Sequence, residues 1–424
     1  MKKAVCLVLA LALACIAAAA AADPKKIDGL TPRDIRIESA GLNPDASEMI
    51  AQGYSPTTGR KLDSIKVREG SSGTAVTGVY QPIMMQISNS NNGIGIRSDG
   101  SLYAIAPVNG TCADVVYEAC QKKGGGTTRM TMIFSDVVPD YAGFARSTRL
   151  THVRLRQEWD CIFCTSGYSS AEVPAAWKAL GVKSPSSKNR TEKDPGVVYI
   201  GDAGTNKPWK KYVRRLMMGI KDANNELFEL KAILENVVPK DHVPANHTWK
   251  FTDEVPAGGD SGEIVYVTFG SRYDTDSRLE YDPDNNAYIR YVEVKNQGDL
   301  PYRESVLFGA VNSDEKLTNG QIAYRVRAEQ WVPGDTIMFN NVIVQGIKMK
   351  WPNGSLRPDP VLTGTGNADY FMGGRHYAGV WERKDIDSRT VFYGEDGKEI
   401  ELQRGRTLII LMGYNDPNAE VRYE

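Results

Sequence analysis

The run ADVVYEACQKKGGGTTRMTMIFSDVVPDYAGFARSTRLTHVRLRQEWDCIFCTSG, residues 113–167, organises the rest of the chain. Thr111, followed three residues later by Asp114, forms a pattern similar to a capping box and predicts a helix at the start of this run. The alternating segment from Thr127 to Ser135 then predicts a strand. Because the glycines at 124–126 lead into a strand and not into a helix N-terminus, they predict a turn rather than a phosphate cradle.

The second half of the run predicts a helix and another strand. Leu150, Val153 and Trp159 form the apolar face of the helix, and Ser147 or its neighbour would cap it. The apolar segment 160–166 follows as a strand. Strand, helix and strand in this order predict a right-handed parallel crossover, with its ligand-facing edge at the carboxyl ends of the strands.

The turn before the second helix carries two arginines, Arg146 and Arg149, three residues apart. At a helix start such side chains share a face, and the free backbone N–H groups favour anions. The planar guanidinium suits carboxylate and phosphate groups. The alternative is that both arginines pair with Glu118 or Asp114 and stabilise the fold. The sequence leaves both interpretations open.

The length, the charge balance and the motifs of the chain exclude some classes of protein. A chain of 424 residues is too long for one core and predicts two domains. The 51 Lys and Arg residues balance 52 Asp and Glu, which argues against a dedicated nucleic-acid-binding protein. The sequence contains no G-x-S-x-G nucleophile elbow, so acyl transfer by a serine triad is not predicted.

The N-terminus has the pattern of a secretory signal. Lys2 and Lys3 precede an apolar run from Ala4 to Ala22 that ends in small residues, which predicts cleavage after Ala22. A retained membrane anchor is the alternative, since the run is just long enough to span a bilayer. A lipoprotein route would acylate Cys15, although the leucine before it stands in the wrong position. We therefore expect an extracytoplasmic protein, secreted or anchored to the outer face of the cytoplasmic membrane.

The four cysteines that follow the predicted signal segment are Cys112, Cys120, Cys161 and Cys164. The last two form a C-x-x-C within an apolar strand pattern, whereas redox pairs usually open a helix and zinc ribbons need two such pairs. Buried thiols are the favoured interpretation. A disulfide between the two pairs and metal or redox chemistry are the alternatives.

We predict no metal ion and no cofactor. The histidines are His152, His242, His247 and His376, and the one near pair, in a proline-interrupted loop, lacks the spacing of a metal site. The aspartates at 274, 276, 282 and 284 suggest calcium, but an EF-hand pattern does not fit. Local hydrogen bonding within hairpin turns is the favoured role for these aspartates.

The rest of the chain divides into three kinds of segment. Residues 23–75 are polar and proline-punctuated, as in an envelope spacer. A helix is predicted from Asn206 to Ile220, with Pro208 in its first turn. The basic face of this helix, residues 210–215, is either a membrane-surface or anionic-polymer patch or ordinary solvated charge. From Glu263 strands and turns alternate, which predicts a mostly antiparallel second domain.

Several motifs resemble the YerB-like family of bacterial envelope lipoproteins, a domain of unknown function. The first block contains ADVVYE at 113–118, Thr128-Arg129 after the glycines, and GFARSTR at 143–149. The second block contains NVIVQ at 341–345, GTG at 364–366 and GVW at 379–381. The blocks cover roughly residues 80–200 and 265–413. The resemblance implies a two-domain, mixed α and β extracytoplasmic protein, and it supplies no reaction.

These observations define one prediction for fold and function. The fold class is α+β, with a signal peptide (1–22), a spacer (23–75), a mixed α/β domain with a parallel crossover unit (76–250) and a β-rich domain (251–424). The function is binding of an anionic wall polymer or an envelope protein, without catalysis. The predicted ligand-binding residues are Glu118, Arg129, Arg146, Ser147 and Arg149. The alternative is a hydrolase or transferase on anionic wall polymers, with Glu118 as acid or base.

Overall fold

The computed structural model describes residues 23–89, 94–96, 102–104, 107–123, 128–168, 171–181, 197–200, 210–217, 226–238, 240–270, 276–294, 298–307, 315–316, 322–325, 331–352 and 355–424. The predicted signal segment and the glycine turn at 124–126 lie outside these ranges. Strands account for 43% of the structure and helices for 14%, so the protein is mostly β. The two-domain layout with mixed and antiparallel sheets is confirmed, whereas the finer α+β assignment is not.

The elements of the first half are mostly short strands. The strands are β1 (Lys25–Lys26), β2 (Ser71–Ser72), β3 (Ile83–Ser88), β4 (Ile94–Ile96), β5 (Leu102–Ala104), β6 (Val115–Cys120), β7 (Thr128–Phe134), β8 (Val138–Pro139), β9 (Ile162–Ser166), β10 (Val197–Ile200), β11 (Val213–Met217) and β12 (Glu226–Phe228). The α-helices are α1 (Ala46–Ala51), α2 (Leu150–Trp159), α3 (Glu172–Ala179) and α4 (Leu230–Asn236).

The described elements of the second half are strands. They are β13 (Lys250–Thr252), β14 (Asp260–Ser261), β15 (Ile264–Phe269), β16 (Ser277–Asp282), β17 (Ala287–Val294), β18 (Gly298–Pro301), β19 (Arg303–Leu307), β20 (Glu315–Lys316), β21 (Ile322–Arg325), β22 (Trp331–Thr336), β23 (Met338–Phe339), β24 (Asn341–Lys350), β25 (Asp359–Val361), β26 (Gly364–Met372), β27 (Arg375–Arg383), β28 (Val391–Gly394), β29 (Glu401–Gln403), β30 (Thr407–Gly413) and β31 (Ala419–Tyr423).

One large mixed sheet joins the two halves. Its described strands follow the order β10-β9-β3-β7-β6-β30-β24-β26-β27-β14. The junction is the parallel pair of β6 and β30, which runs from Val115 beside Thr407 to Ala119 beside Leu411. A second, antiparallel sheet follows the order β1-β31-β15-β16-β17-β18, in agreement with the β-rich second half expected from the sequence.

The prediction of a helix at the start of the run 113–167 is wrong, because residues 115–120 form β6. All six residues of β6 are buried, and strands flank it on both sides. A run of valine, valine and tyrosine favours such a position over a helix. Asp114 does not cap a helix either: its Oδ2 accepts the backbone N–H groups of Ser135, at 2.7 Å, and Asp136, at 2.9 Å.

The predicted crossover between β7 and β9 is also wrong. Because β3 pairs with β7 in antiparallel and with β9 in parallel orientation, β7 and β9 run in opposite directions on either side of β3. Between β7 and α2 the chain returns along the full length of β3: Phe134 lies beside Ile83, whereas the N–H of Arg146 donates to the carbonyl of Gln86. The parallel crossover in this region is instead β9, α3 and β10.

The helix predicted at 206–220 is wrong in its described part. Residues 210–212 form a short 3₁₀ turn, and Val213–Met217 form β11, which pairs with β12 and β21. Residues 206–209 and 218–220 lie outside the described ranges. Pairing with β21, more than 100 positions later in the chain, has overridden the local helical spacing.

The segment predicted as a spacer lies against the rest of the protein. Ile27 is buried, and the guanidinium of Arg33 contacts the Asp369 carboxylate at 2.7 Å. The hydroxyls of Ser55 and Thr58 donate to Asp136 at 2.5 and 2.6 Å. Side chains from this segment therefore complete polar networks in both halves. In the described part of the chain, every helix is too short or too polar to cross a membrane.

Candidate functional site

Residues 146–149, which we call the arginine turn, cross the carboxyl ends of β3 and β9. The predicted crossover implied the carboxyl ends of β7 and β9 instead, but that end of β7 lies beside the start of β3. Its backbone is held by the N–H of Arg146 on the carbonyl of Gln86 and by the N–H of Ser166 on the carbonyl of Arg146. The hydroxyls of Thr148 and Thr165 share a hydrogen bond of 2.8 Å. These bonds fix the turn on two neighbouring strands and place its side chains at the carboxyl ends of those strands.

Arg146 and Arg149 point from this turn at different depths. Arg146 is half-buried, and its Nε donates to Ser88 Oγ at 3.4 Å. Arg149 is only 5% exposed and is the N-cap residue of α2. Its Nη1 donates to the carbonyl of Thr148 at 3.2 Å, while its buried Nε has no partner among the described residues. Ser147 lies half-buried between the arginines and is not the cap.

Arg129 joins the two arginines of the turn. It is the second residue of β7 and lies directly beside Ser88 of β3, so the two side chains project from the same face of the sheet. The Nε and Nη1 atoms of Arg129 are buried and have no hydrogen-bond partner within the described ranges. Burial, and then the charges of Arg149, Arg146 and Arg357, hold the pKa of Arg129 well below its usual range. Buried guanidinium donors that lack a partner and lie near other positive charges are destabilising.

Arg357, which the sequence analysis did not identify, completes the group. It lies in the connection between β24 and β25, where the N–H of Lys123 donates to the carbonyl of Leu356 at 2.9 Å. The Nη1 of Arg357 donates to the carbonyl of Gln121 at 3.2 Å, at the end of β6. No local motif marks this residue, because long-range strand pairing alone brings it to the site. We refer to Arg129, Arg146, Arg149 and Arg357 as the arginine cluster.

The pKa of Arg149 reflects this environment. Burial first, and then the charges of Arg357 and Arg146, lower it to about 9. His152, one turn into α2, accepts the backbone N–H of Arg149 on Nδ1 at 2.8 Å. Burial, Arg149 and Arg129 hold the pKa of His152 well below its usual range. His152 is therefore neutral at physiological pH and fixes the backbone of the turn.

Glu118 is not part of this site. It lies beside Met130 in the sheet, whereas its neighbour Ala119 lies beside Arg129, so Glu118 points to the opposite face. There its Oε1 accepts Nη2 of Arg290 at 3.0 Å and Nδ2 of Asn89 at 2.7 Å. Asp114 is buried near Asp136 instead. Neither carboxylate therefore makes the ion pair with Arg146 or Arg149 that was the structural alternative.

Other polar groups predicted from the sequence have local roles. The four cysteines are free and buried, as the favoured interpretation expected. Burial raises the pKa of Cys161 to about 12, which keeps this thiol protonated. Asp282 accepts the N–H of Asp284 at 3.0 Å within a hairpin turn, the role predicted for these aspartates; Asp274 lies outside the described ranges. On the predicted basic face, Arg214 pairs with Glu229 at 2.5 Å.

Each histidine has its own hydrogen-bond partner, and the four side chains do not converge. His247 contacts the Glu158 carboxylate at 3.1 Å, and His376 contacts Asp369 at 2.8 Å. His242 hydrogen-bonds to the carbonyl of Asp160 at 3.1 Å. Across the described ranges, no group of three or more metal-binding side chains forms a candidate metal site. The arginine cluster is therefore the arrangement best suited to a ligand, because it contains buried donors of Arg129 and Arg149 that have no partner among the described residues.

Comparison with known proteins places the chain in a family. Models for a protein of unknown function (DUF3048) match in order, the N-terminal domain at residues 104–226 and the C-terminal domain at 319–409. The crystal structure of YerB protein from Bacillus subtilis is similar, with 16% identity, 87% of this chain and 99% of that chain covered, and a TM-score of 0.56. This likeness concerns the fold alone. A search of curated proteins found no significant match. With both domains in order over about half of its length, the chain belongs to the YerB-like DUF3048 family.

Proposed function

We propose that the protein is an extracytoplasmic binding or accessory module that holds an anionic group of a wall polymer or of an envelope protein. The observation that carries this proposal is a set of buried guanidinium donors without a partner among the described residues, namely Nε and Nη1 of Arg129 and Nε of Arg149. Among the described side chains, neither group has a carboxylate partner, and an unpaired buried charge is retained at a cost in stability. Such strain is typical of a site that an anion completes.

The position of the arginine cluster supports the same proposal. It lies at the carboxyl ends of the parallel strands β3 and β9 and at the N-terminus of α2, a ten-residue helix. Both features are common locations for anions in α and β proteins. Arg146 and Arg357 are half-buried and give the cluster its contact with solvent, while Arg149 lies behind them.

The proposed location outside the cytoplasm rests on the N-terminal sequence. Lys2 and Lys3, the apolar run and the small residues up to Ala22 have the order of an export signal. Mass spectrometry of the protein purified from its own cells tests this directly. A mature chain beginning at Asp23, or one acylated at Cys15, supports export. An intact Met1–Glu424 chain recovered in the cytoplasmic fraction contradicts it.

The alternative hypothesis is an enzyme in which Glu118 acts as acid or base. Glu118 as acid or base would need to face a substrate held by Arg146 and Arg149, but Glu118 points to the opposite face of the sheet and pairs with Arg290. No specific observation in the described residues favours a reaction. We therefore retain binding as the function.

Sedimentation with purified peptidoglycan, with and without its teichoic polymers, tests the binding proposal. We expect the parent protein to bind and the variants Arg129→Gln and Arg149→Gln to bind at least about tenfold more weakly, since each removes a charge-assisted contact. Arg375→Gln is the matched control: Arg375 is exposed on β27 and donates to the carbonyl of Gly258. Equal binding by all four proteins would overturn the role of the arginine cluster.

A further inference from the structure

The arginine cluster has more positive charge and more free donors than a simple carboxylate uses. Arg129 offers Nε and Nη1, and Arg149 offers Nε, all three buried without a partner among the described residues. Arg357 adds a fourth guanidinium from the second half of the chain. A carboxylate has two oxygens and one negative charge, which one guanidinium can already satisfy in a bidentate pair.

A terminal phosphoryl group matches this excess. A phosphomonoester carries about −1.5 to −2 charges near pH 7 and three strong acceptor oxygens. Three oxygens can accept from Arg129, Arg149 and a further arginine at the same time, and a dianion offsets the mutual repulsion of the cluster better than a monoanion does. A phosphodiester inside a polymer has one negative charge and two free oxygens, so it resembles a carboxylate in this respect.

The two halves of the chain both contribute to this geometry. Arg129, Arg146 and Arg149 belong to the first half, and Arg357 approaches from the connection between β24 and β25, held by its bond to Gln121 and by the Lys123–Leu356 backbone bond. Nearby, Arg154 on α2 pairs with Asp359 on β25 at 3.5 Å. The connection that carries Arg357 thus leads into a strand that contacts the middle of α2.

We propose that the arginine cluster binds a terminal phosphoryl group, that of a phosphomonoester or of a diphosphate, with Arg357 as a ligand-binding residue contributed by the second half. This inference rests on the proposed anion-binding function and specifies its ligand. The buried donors of Arg129 and Arg149 hold the group, and the half-buried Arg146 and Arg357 contact it from the solvent side.

Calorimetric titration of the full chain at constant ionic strength tests the inference. The probes are inorganic phosphate, glycerol 1-phosphate and diphosphate, compared with dimethyl phosphate and acetate. We expect the three probes with a terminal phosphoryl group to bind at least about tenfold more tightly than the other two. Arg357→Gln should weaken phosphate about tenfold or more, Arg357→Lys less, and Arg375→Gln not at all.

The pH dependence gives a second readout. Phosphate affinity should rise from pH 5 to pH 7.5, because the second proton leaves phosphate near pH 6. Arg149 stays charged in this range, since its pKa is about 9, and His152 stays neutral. The carboxylates near the cluster are Glu226, which accepts from Ser166, and Asp359. Dimethyl phosphate, ionised throughout, reports any effect of these protein groups and should show no comparable rise.

The possible results separate the two proposals. Acetate and dimethyl phosphate binding as tightly as phosphate, with all of them weakened by Arg149→Gln, would overturn the phosphoryl inference and leave the anion-binding function intact. A full phosphate affinity in Arg357→Gln would remove Arg357 from the site. Failure of every anion to bind the parent protein, together with unchanged sedimentation on wall polymer in the arginine variants, would overturn both proposals.

Discussion

Arg290 and Glu118 form a completely buried ion pair, with 3.0 Å between Nη2 and Oε1, and both side chains have no exposed surface. The pair connects β17 of the second half to β6 of the first. Asn89 and Thr128 also donate to the Glu118 carboxylate, each at 2.7 Å. Because both charges are removed from water, the pair is stabilising only while both partners are present.

The first prediction concerns this pair. Arg290→Met leaves the Glu118 carboxylate buried without its cation, and we expect the free energy of unfolding to fall by about 3–5 kcal/mol. The double variant Glu118→Gln with Arg290→Met should recover much of that loss, because no buried charge remains. Urea denaturation measures both values. Additive losses would show that the pair is not coupled, and phosphate binding should be unaffected in any variant that folds.

The second prediction concerns Arg149, whose replacement should raise the free energy of unfolding. Arg149→Met removes a buried cation that has no carboxylate partner among the described residues, so we expect the free energy of unfolding without ligand to rise by about 1–3 kcal/mol. The same variant should lose the thermal stabilisation that phosphate gives the parent protein. Differential scanning calorimetry with and without phosphate measures both effects. A variant that is less stable than the parent would show that Arg149 has a purely structural role.

The third prediction concerns acid unfolding. Burial would raise the pKa of Glu158, but Arg383 foremost, and His247 with it, lower that pKa to about 2. Its ordinary value is 4.5. A carboxylate with a depressed pKa contributes stability above its unfolded value and loses it as the pH falls. The stability difference between parent and Glu158→Gln should therefore be full near pH 6 and should shrink between pH 4.5 and 2, as followed by urea midpoints at each pH. A difference that stays constant over this range would contradict the assignment.

The fourth prediction concerns a buried acid with the reverse shift. Burial, and then Asp136, raise the pKa of Asp114 to about 8 from an ordinary 3.8. The folded state thus holds a proton that the unfolded chain releases, and stability falls as the pH rises from about 4 to 8. Burial also raises the pKa of Asp136, so Asp114→Asn, which keeps the acceptor for Ser135 and Asp136, should reduce this dependence, by at most about 1.4 kcal/mol per pH unit. Parallel slopes for parent and variant between pH 5 and 8 would refute the shifted pKa.

Local sequence patterns correctly predicted those helices and strands whose structure depends mainly on residues nearby in the sequence. Leu150, Val153 and Trp159 formed the predicted helix face, and the strand at Thr128–Phe134 follows from its own alternation. The prediction for residues 115–120 failed because this segment pairs with β30, which lies almost 300 residues later in the chain. Its valines are compatible with either structure, and the distant partner decides.

The candidate site was predictable to a similar extent. Arg146 and Arg149 could be identified because their spacing and position at a helix start have a physical meaning within eight residues. Arg129 was found through the family motif and is brought beside them by the pairing of β3 with β7. Arg357 lies in a connection that carries no recognisable motif. Glu118 was expected near the arginines, but its segment is a strand that places its side chain on the opposite face of the sheet. Both depend on register, which a single sequence does not specify.

The parallel pairing of β6 with β30 also has a consequence for how the chain folds. During synthesis or transport, β6 has an unoccupied edge until residues 407–413 are available, since that edge has no other partner in the described sheet. Such a long-range contact closes slowly, and an exposed edge of valine and tyrosine invites association with other chains in the meantime. Truncations near the C-terminus should therefore leave the first half aggregated rather than independently folded, and a chaperone that covers β6 would be most useful before the last strands arrive.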